Sequence, residues 1–222
     1  MTQDAIDRYV CDGEKAEPLG DGYYIIQQED GYRFGSDAVG LAHFAGRNLT
    51  WQKNVLDLCS GCGIIGIMLA IKSGCHVTAV EIDEKLANMS SRSAKMNGIN
   101  NFTLWMVDAR NIGNHFDYRF DAVVCNPPYY KANSKKASVA PQANSEITIT
   151  LCDVVAIAKR ALKDKGALYM THVTSRLDEV ICCCRDNGLT VKELVINPNG
   201  KTFMLRAVRG GRQGMTLEIK EY

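Results

Sequence analysis

Along residues 55–208 the apolar positions fall into two alternating rhythms. Short, nearly continuous apolar runs lie at VLDLC 55–59, HVTAVE 76–81, FTLWMV 102–107 and FDAVVC 120–125, and again at GALYMTH 166–172, TVKELVI 190–196 and TFMLRAV 202–208. Between several of them apolar residues return every three or four positions, near 63–73, 83–97, 147–163 and 175–187. The first rhythm predicts strands and the second amphipathic helices. Their alternation predicts an α/β fold: a mostly parallel sheet with helices on both faces. Only NPNGK separates the last two strands, which is too short for a crossover, so they are expected to pair as an antiparallel hairpin.

The rhythm weakens at three places. Ahead of residue 55, YYIIQQ at 23–28 predicts one more strand, and GYRFGSDAVGLAHFA at 31–45 predicts a helix capped by Ser36 or Asp37. Residues 130–145 form a polar stretch of the length that often carries function. The tail after 208, RGGRQGMTLEIKEY, has paired glycines and no strong period. A chain of 222 residues suits one domain with a buried core.

Composition narrows the picture modestly. No apolar run approaches the roughly 20 residues of a membrane span, and the acidic start MTQDAIDRYV lacks the features of an export signal. A cytoplasmic protein is expected, and nine cysteines then read as free thiols. Cys59 and Cys62 form a lone C-x-x-C without a second pair to complete a zinc site, so they read as small residues in a tight turn. His43, His76, His115 and His172 are scattered without ligand spacing, and none is assigned to a metal or to catalysis. The net charge is +1, but its distribution is uneven. Lys131, Lys135 and Lys136 share one acid-free stretch; Lys201, Arg206, Arg209 and Arg212 share another.

The chemistry concentrates where strands end. Gly61-Cys62-Gly63-Ile64-Ile65-Gly66 fits G-x-G-x-x-G between a strand and a helix, and Glu81 ends the next strand 20 residues after Gly61. Such a loop lets an adenosine cofactor approach the backbone while the carboxylate accepts from ribose hydroxyls. Asp57, just before the loop, would repel a pyrophosphate but suits a donor with an ammonium and a sulfonium. Asp108 ends the third strand, where it can accept from an adenine amine. Asn126-Pro127-Pro128-Tyr129 ends the fourth. The two prolines stiffen this turn. If the Asn126 side-chain oxygen and the Pro127 carbonyl each accept one N–H of a conjugated amine, its lone pair is aimed at the donor and the developing charge is stabilised. Tyr129 offers a face for a planar substrate.

This order of motifs resembles the Rossmann-like S-adenosylmethionine-dependent amino-methyltransferases, whose seven-stranded sheet ends in a reversed strand. The resemblance implies S-adenosylmethionine as cofactor, with S-adenosylhomocysteine as product. It places the donor along Asp57, Gly61, Gly63, Glu81 and Ile82, then Asp108, Ala109 and Asn126. Within that class the chain resembles the bacterial tRNA1(Val) adenine-N6 methyltransferases. The match rests on Tyr32, Arg33, Phe34, Asp37, Ala38, Val39, Leu41 and Ala42 before the glycine loop, and on Gly210, Gly211, Arg212 and Gly214 near the end. It implies methylation of the adenosine following the anticodon, with Phe34 and Asp37 at the methionine end of the cofactor. Tyr129, Lys131, Lys135, Lys136, Lys201, Arg209 and Arg212 then become expected RNA contacts. Residues 1–222 are expected to be one methyltransferase domain, with 1–50 an extension and 51–222 the catalytic core. No metal and no obligate protein partner is expected.

Other readings are a glutamine-amide methyltransferase, whose known members usually carry a helical domain ahead of the loop, and a DNA-adenine methyltransferase with a separate recognition domain. An NAD-dependent oxidoreductase would account for the glycine loop but not for Asn126-Pro127-Pro128-Tyr129, and a non-catalytic RNA-binding module would not require Asn126.

Overall fold

The computed structural model describes residues 2–30, 33–131, 145–146 and 149–219. A short helix α1 (Gln3–Asp7) leads into the hairpin β1 (Glu14–Gly20) and β2 (Tyr23–Gln28), followed by α2 (Ser36–Gly46). Strands and helices then alternate: β3 (Asn54–Leu58), α3 (Ile64–Lys72), β4 (His76–Glu81), α4 (Glu84–Met96), β5 (Phe102–Met106) and β6 (Phe120–Cys125). Two-residue strands β7 (Tyr130–Lys131) and β8 (Ser145–Glu146) pair with each other. The chain continues through α5 (Leu151–Ala161), β9 (Leu162–Val173), α6 (Leu177–Asp186), β10 (Leu189–Ile196), β11 (Thr202–Arg209) and β12 (Thr216–Ile219).

All seven expected core strands join one sheet, in the order β12-β10-β11-β9-β6-β3-β4-β5. β11 runs antiparallel to both β10 and β9, as the short NPNGK connection requires. The sheet has an eighth strand: β12 pairs in parallel with β10. Its four residues are too few for a period to show, and the turn that returns the chain is built from Gly210–Gly214. There Lys165 donates to the Gly210 carbonyl, Thr190 to Gly211, and Lys192 to both Arg212 and Gly214. β1 also escapes the sequence pattern, because Pro18 and three charged residues interrupt it. As half of an isolated two-stranded hairpin it tolerates them.

Alternation along the central strands explains the two layers. Leu56, Leu58, Val123 and Leu168 face one way, into a core with Val154, Val155 and Ala158 of α5 and Val180 and Cys184 of α6. Val55, Ala122, Val124 and Tyr169 face the other way, into a core with α2 and α3. Asp57 belongs by the same alternation to the α3 side. The N-terminal hairpin docks on α4: Ile26 N–H donates to Ser93 Oγ at 2.9 Å, and Tyr24 exchanges backbone bonds with the Asn97 carboxamide. Arg92 forks onto Glu14 at 2.6 and 2.7 Å.

The order of strands reverses at β3, which pairs with β4 on one side and β6 on the other. In open α/β sheets, the carboxyl ends of strands at such a reversal form a binding crevice. No helix among the described residues is long and apolar enough to cross a membrane.

Candidate active site

Behind β3 the backbone turns sharply: Cys59, Gly61 and Gly63 all have positive φ, of 58°, 57° and 85°. The turn brings the Gly61 N–H to Glu81 Oε2 at 2.7 Å. Glu81 Oε1 accepts from the N–H groups of Ile82 and Asp83, both at 2.9 Å. The glycine loop and the end of β4 are thereby tied by one carboxylate. Oε1 is filled, whereas Oε2 keeps a lone pair for a further donor such as a hydroxyl.

A cleft of about 170 Å³ opens over these ends. Of the ten residues expected to hold the cofactor, Gly61, Glu81, Ile82, Asp108, Ala109 and Asn126 line it. Leu86, Val107, Pro128 and Ile149 supply apolar walls. A narrow crevice continues from it, again past Cys59, Gly61 and Asn126, to Phe34. Asp108 enters the cleft already engaged, since its carboxylate holds Arg110 at 2.5 Å, and this ion pair keeps its pKa below the ordinary value.

The other three expected residues stand elsewhere. Gly63 is required by packing: a Cβ there would collide with Ser90 Oγ on α4. Asp57 lies beneath the loop, fully buried, and accepts from the Gly66 N–H at 2.8 Å. Gly66 must be glycine for this approach, because a Cβ would come 2.8 Å from the same oxygen. The second Asp57 oxygen is buried and has no hydrogen-bond partner among the described residues. Burial raises the Asp57 pKa to about 7, with the neighbouring Glu81 adding to the rise and the Gly66 N–H opposing it. Burial also raises the pKa of Glu81, against its three backbone donors. Neither Ser36 nor Asp37 is the N-cap of α2; that position is Gly35. Asp37 instead receives the Tyr129 hydroxyl.

The turn Asn126–Tyr129 is held from several sides. The Tyr129 hydroxyl also meets Asn126 Oδ1 at 2.5 Å. The Tyr129 carbonyl accepts from Arg176 Nη1 at 2.9 Å, and Arg176 itself forks onto Glu179. The ring of His172 lies 5.3 Å from that of Tyr129. His172 is completely buried, and this holds its pKa down at about 4, with Arg176 nearby acting in the same sense. Its Nδ1 accepts from Val173 N–H, so the neutral ring carries its proton on a buried Nε2. Sequence reasoning leaves His172 and Arg176 out of the site. The apolar run ending at His172 places it at a strand end, while nothing local marks Arg176.

Among the described residues, the expected RNA contacts divide between two edges of the sheet. Lys201 immediately precedes β11 at the cleft edge, where its carbonyl accepts from Thr174 N–H. Arg209 ends β11 at the opposite edge of the sheet, roughly 26 Å away at ~3.3 Å per residue. There it donates to the Lys159 and Leu162 carbonyls and covers the Tyr118 ring. Arg212 lies in the turn beyond it. β11 is antiparallel to β9 and so carries Arg209 and the turn with Arg212 away from the cleft edge. Tyr32, Lys135, Lys136 and the side chain of Lys131 lie outside the described residues.

A model of the methyltransferase small domain family matches residues 38–178, most of the chain. The chain belongs to this family. A tRNA1(Val) (adenine(37)-N6)-methyltransferase of Shewanella baltica is 25% identical over 180 residues, covering 78% of this chain and 75% of that protein. One of Actinobacillus pleuropneumoniae is 21% identical over 203 residues, covering 90% and 85%. Among solved structures, M. jannaschii TYW2 in complex with AdoMet superimposes with a TM-score of 0.63 at 15% identity, over 88% of this chain and 85% of the other. The ribosomal protein L11 methylase of Lactobacillus delbrueckii subsp. bulgaricus gives 0.62 at 18%, over 80% and 81%. These likenesses show the methyltransferase fold. S-adenosylmethionine is the methyl donor of such enzymes, and the cleft of this methyltransferase fits it. Apolar walls suit an adenine, Glu81 Oε2 suits a ribose hydroxyl, and the unsatisfied Asp57 carboxyl suits a cation above it.

Proposed function

We propose that this enzyme methylates N6 of the adenosine 3′ to the anticodon of a tRNA, as the names of its relatives suggest. The observation that carries the reading is the position of Asn126-Pro127-Pro128-Tyr129: it ends β6, beside the reversal of strand order, with Asn126 and Pro128 lining the same cleft as Gly61 and Glu81. S-adenosylmethionine supplies a methyl group to the amine nitrogen and leaves as S-adenosylhomocysteine. The protein prepares that nitrogen. An N6 amine is a weak nucleophile because its lone pair is delocalised into the ring. Asn126 Oδ1 and the Pro127 carbonyl accept its two N–H bonds, so that the lone pair projects toward the donor and the positive charge of the transition state is met by two fixed dipoles. No strong base is needed before attack.

Gly61, Glu81, Ile82, Asp108 and Ala109 hold the donor, Asp57 acts from below, and Phe34 closes the crevice at its methionine end. The Tyr129 ring, backed by His172, forms a platform for the adenine. An anticodon-loop base is only partly stacked, which lowers the cost of drawing it into such a site. Lys201 lies at the cleft edge, Lys131, Lys135 and Lys136 follow Tyr129 closely in sequence, and all four suit phosphates near the target. Arg209 and Arg212 are left to phosphates remote from it. The domain is one catalytic core, residues 51–222, with residues 1–50 buttressing α4 and carrying α2, and it works in the cytoplasm on tRNA. In a strain lacking the gene, the reading expects loss of N6-methyladenosine next to the anticodon, restored by the wild-type gene and not by Asn126→Ala. Restoration by that variant would refute the assignment of Asn126.

A further inference from the structure

The Tyr129 hydroxyl touches two groups that both stand as acceptors, Asp37 Oδ2 and Asn126 Oδ1. A phenol has one proton to donate. An ionised carboxylate is the stronger acceptor, so the proton goes to Asp37. The atom that Asn126 presents to the Tyr129 oxygen must then be a donor, and the nitrogen and oxygen of a carboxamide exchange places by a half-turn about one bond. We infer that Asp37 is a positioning residue: through the Tyr129 hydroxyl it turns the Asn126 NH2 toward Tyr129 and leaves the carboxamide oxygen facing the cleft. This deepens the proposed function and rests on it, since that oxygen is the acceptor for the substrate N–H. Without the relay, Tyr129 donates to the Asn126 oxygen and the carboxamide offers the substrate amine a donor, which repels it.

The surroundings hold Asp37 for this role. Its other oxygen accepts from Ala38 N–H at 2.9 Å, in the first turn of α2. Gly35 leaves the space that the carboxylate occupies, because a Cβ there would lie 2.5 Å from Oδ1. The Tyr129 ring is fixed against His172 and its carbonyl against Arg176, so the hydroxyl has little choice of position. The arrangement also gives a chemical reason for an acidic residue in the stretch that precedes the glycine loop, ninety-two residues from Tyr129.

The test uses the full chain with S-adenosylmethionine and tRNA. Asp37→Asn is expected to lower kcat about tenfold, the equivalent of one ordinary hydrogen bond now favouring the wrong carboxamide orientation. Affinity for S-adenosylmethionine by calorimetry should stay within about twofold, since the carboxylate acts on Asn126. In the Tyr129→Phe background the same substitution should cost nothing further. A fall in cofactor affinity matching the fall in kcat would make Asp37 a cofactor contact and overturn the inference, as would an equal loss in the Tyr129→Phe background. Independently of turnover, the Asn126 side-chain NH2 protons in a 15N spectrum should exchange slowly with solvent in the wild type and fast in Asp37→Asn. Identical exchange in the two proteins would also overturn it. If wild-type protein methylates no tRNA, the functional reading fails, and the exchange measurement still decides how the carboxamide is oriented.

Discussion

Replacing Asp57 by asparagine tests the electrostatic core of the site. A carboxyl whose pKa rises from the ordinary 3.8 to about 7 is protonated more readily in the folded chain than in the unfolded one. Its contribution to stability is complete below pH 3.8 and is lost as pH climbs through about 7. The full span is worth about 4 kcal/mol at ~1.4 kcal/mol per pH unit, of which about 2–3 kcal/mol falls between about pH 5 and pH 8. His172 works in the opposite direction: its pKa is held at about 4, so stability present above 6.5 is lost as pH falls toward 4. That loss is about 2 kcal/mol at about pH 5, and the two groups nearly cancel in the wild-type profile. The difference between wild type and Asp57→Asn isolates the carboxyl. Urea unfolding of the cofactor-free proteins at several pH values should show the Asp57→Asn variant gaining about 2–3 kcal/mol on the wild type from about pH 5 to pH 8. A difference that stays flat across this range would refute the account of Asp57 as a buried, uncompensated carboxyl.

Other consequences follow from the same contacts. A cationic donor favours ionised Asp57, so affinity for S-adenosylmethionine measured by calorimetry should weaken as pH drops below about 7 in the wild type and stay level in Asp57→Asn. Gly63→Ala meets both a φ of 85° and Ser90, and should cost about 2–4 kcal/mol in urea unfolding, of which Ser90→Gly restores only the steric part. Breaking the half-buried Arg92–Glu14 pair with Arg92→Ala should cost roughly 1–2 kcal/mol, and a double-mutant cycle with Glu14→Ala should show coupling that weakens in salt. Arg209→Ala should lower stability, through the Lys159 and Leu162 carbonyls and the Tyr118 ring, and should change methylation by less than about threefold; a larger fall in kcat/KM would make it a principal RNA contact rather than a remote one.

Much of this arrangement is legible in the sequence because strand ends advertise themselves. Glu81, Asp108 and Asn126 each close an apolar run, Asp57 sits one residue before the end of β3, and the sheet brings these strand ends to one edge. Their division of labour is less legible. Whether a carboxylate faces the cleft or the underside of a helix depends on the two-residue alternation within β3, and Asp57 falls on the helix side with Val55. Gly63 looks identical to Gly61 in the motif, yet only the packing of α4 shows that it serves Ser90. The partner of Tyr129 lies in α2, a long-range contact with no local signature. The basic tail divides for a topological reason: charge clusters along the chain, while an antiparallel strand carries Lys201 and Arg209 to opposite edges.

The central claim is tested most directly by giving the purified protein labelled S-adenosylmethionine with unmodified tRNA, duplex DNA or release factor, and identifying the product by mass spectrometry. The account predicts N6-methyladenosine beside the anticodon of a valine tRNA, and none after Asn126→Ala. Methylglutamine in the release factor, or N6-methyladenine in DNA with tRNA untouched, would contradict it.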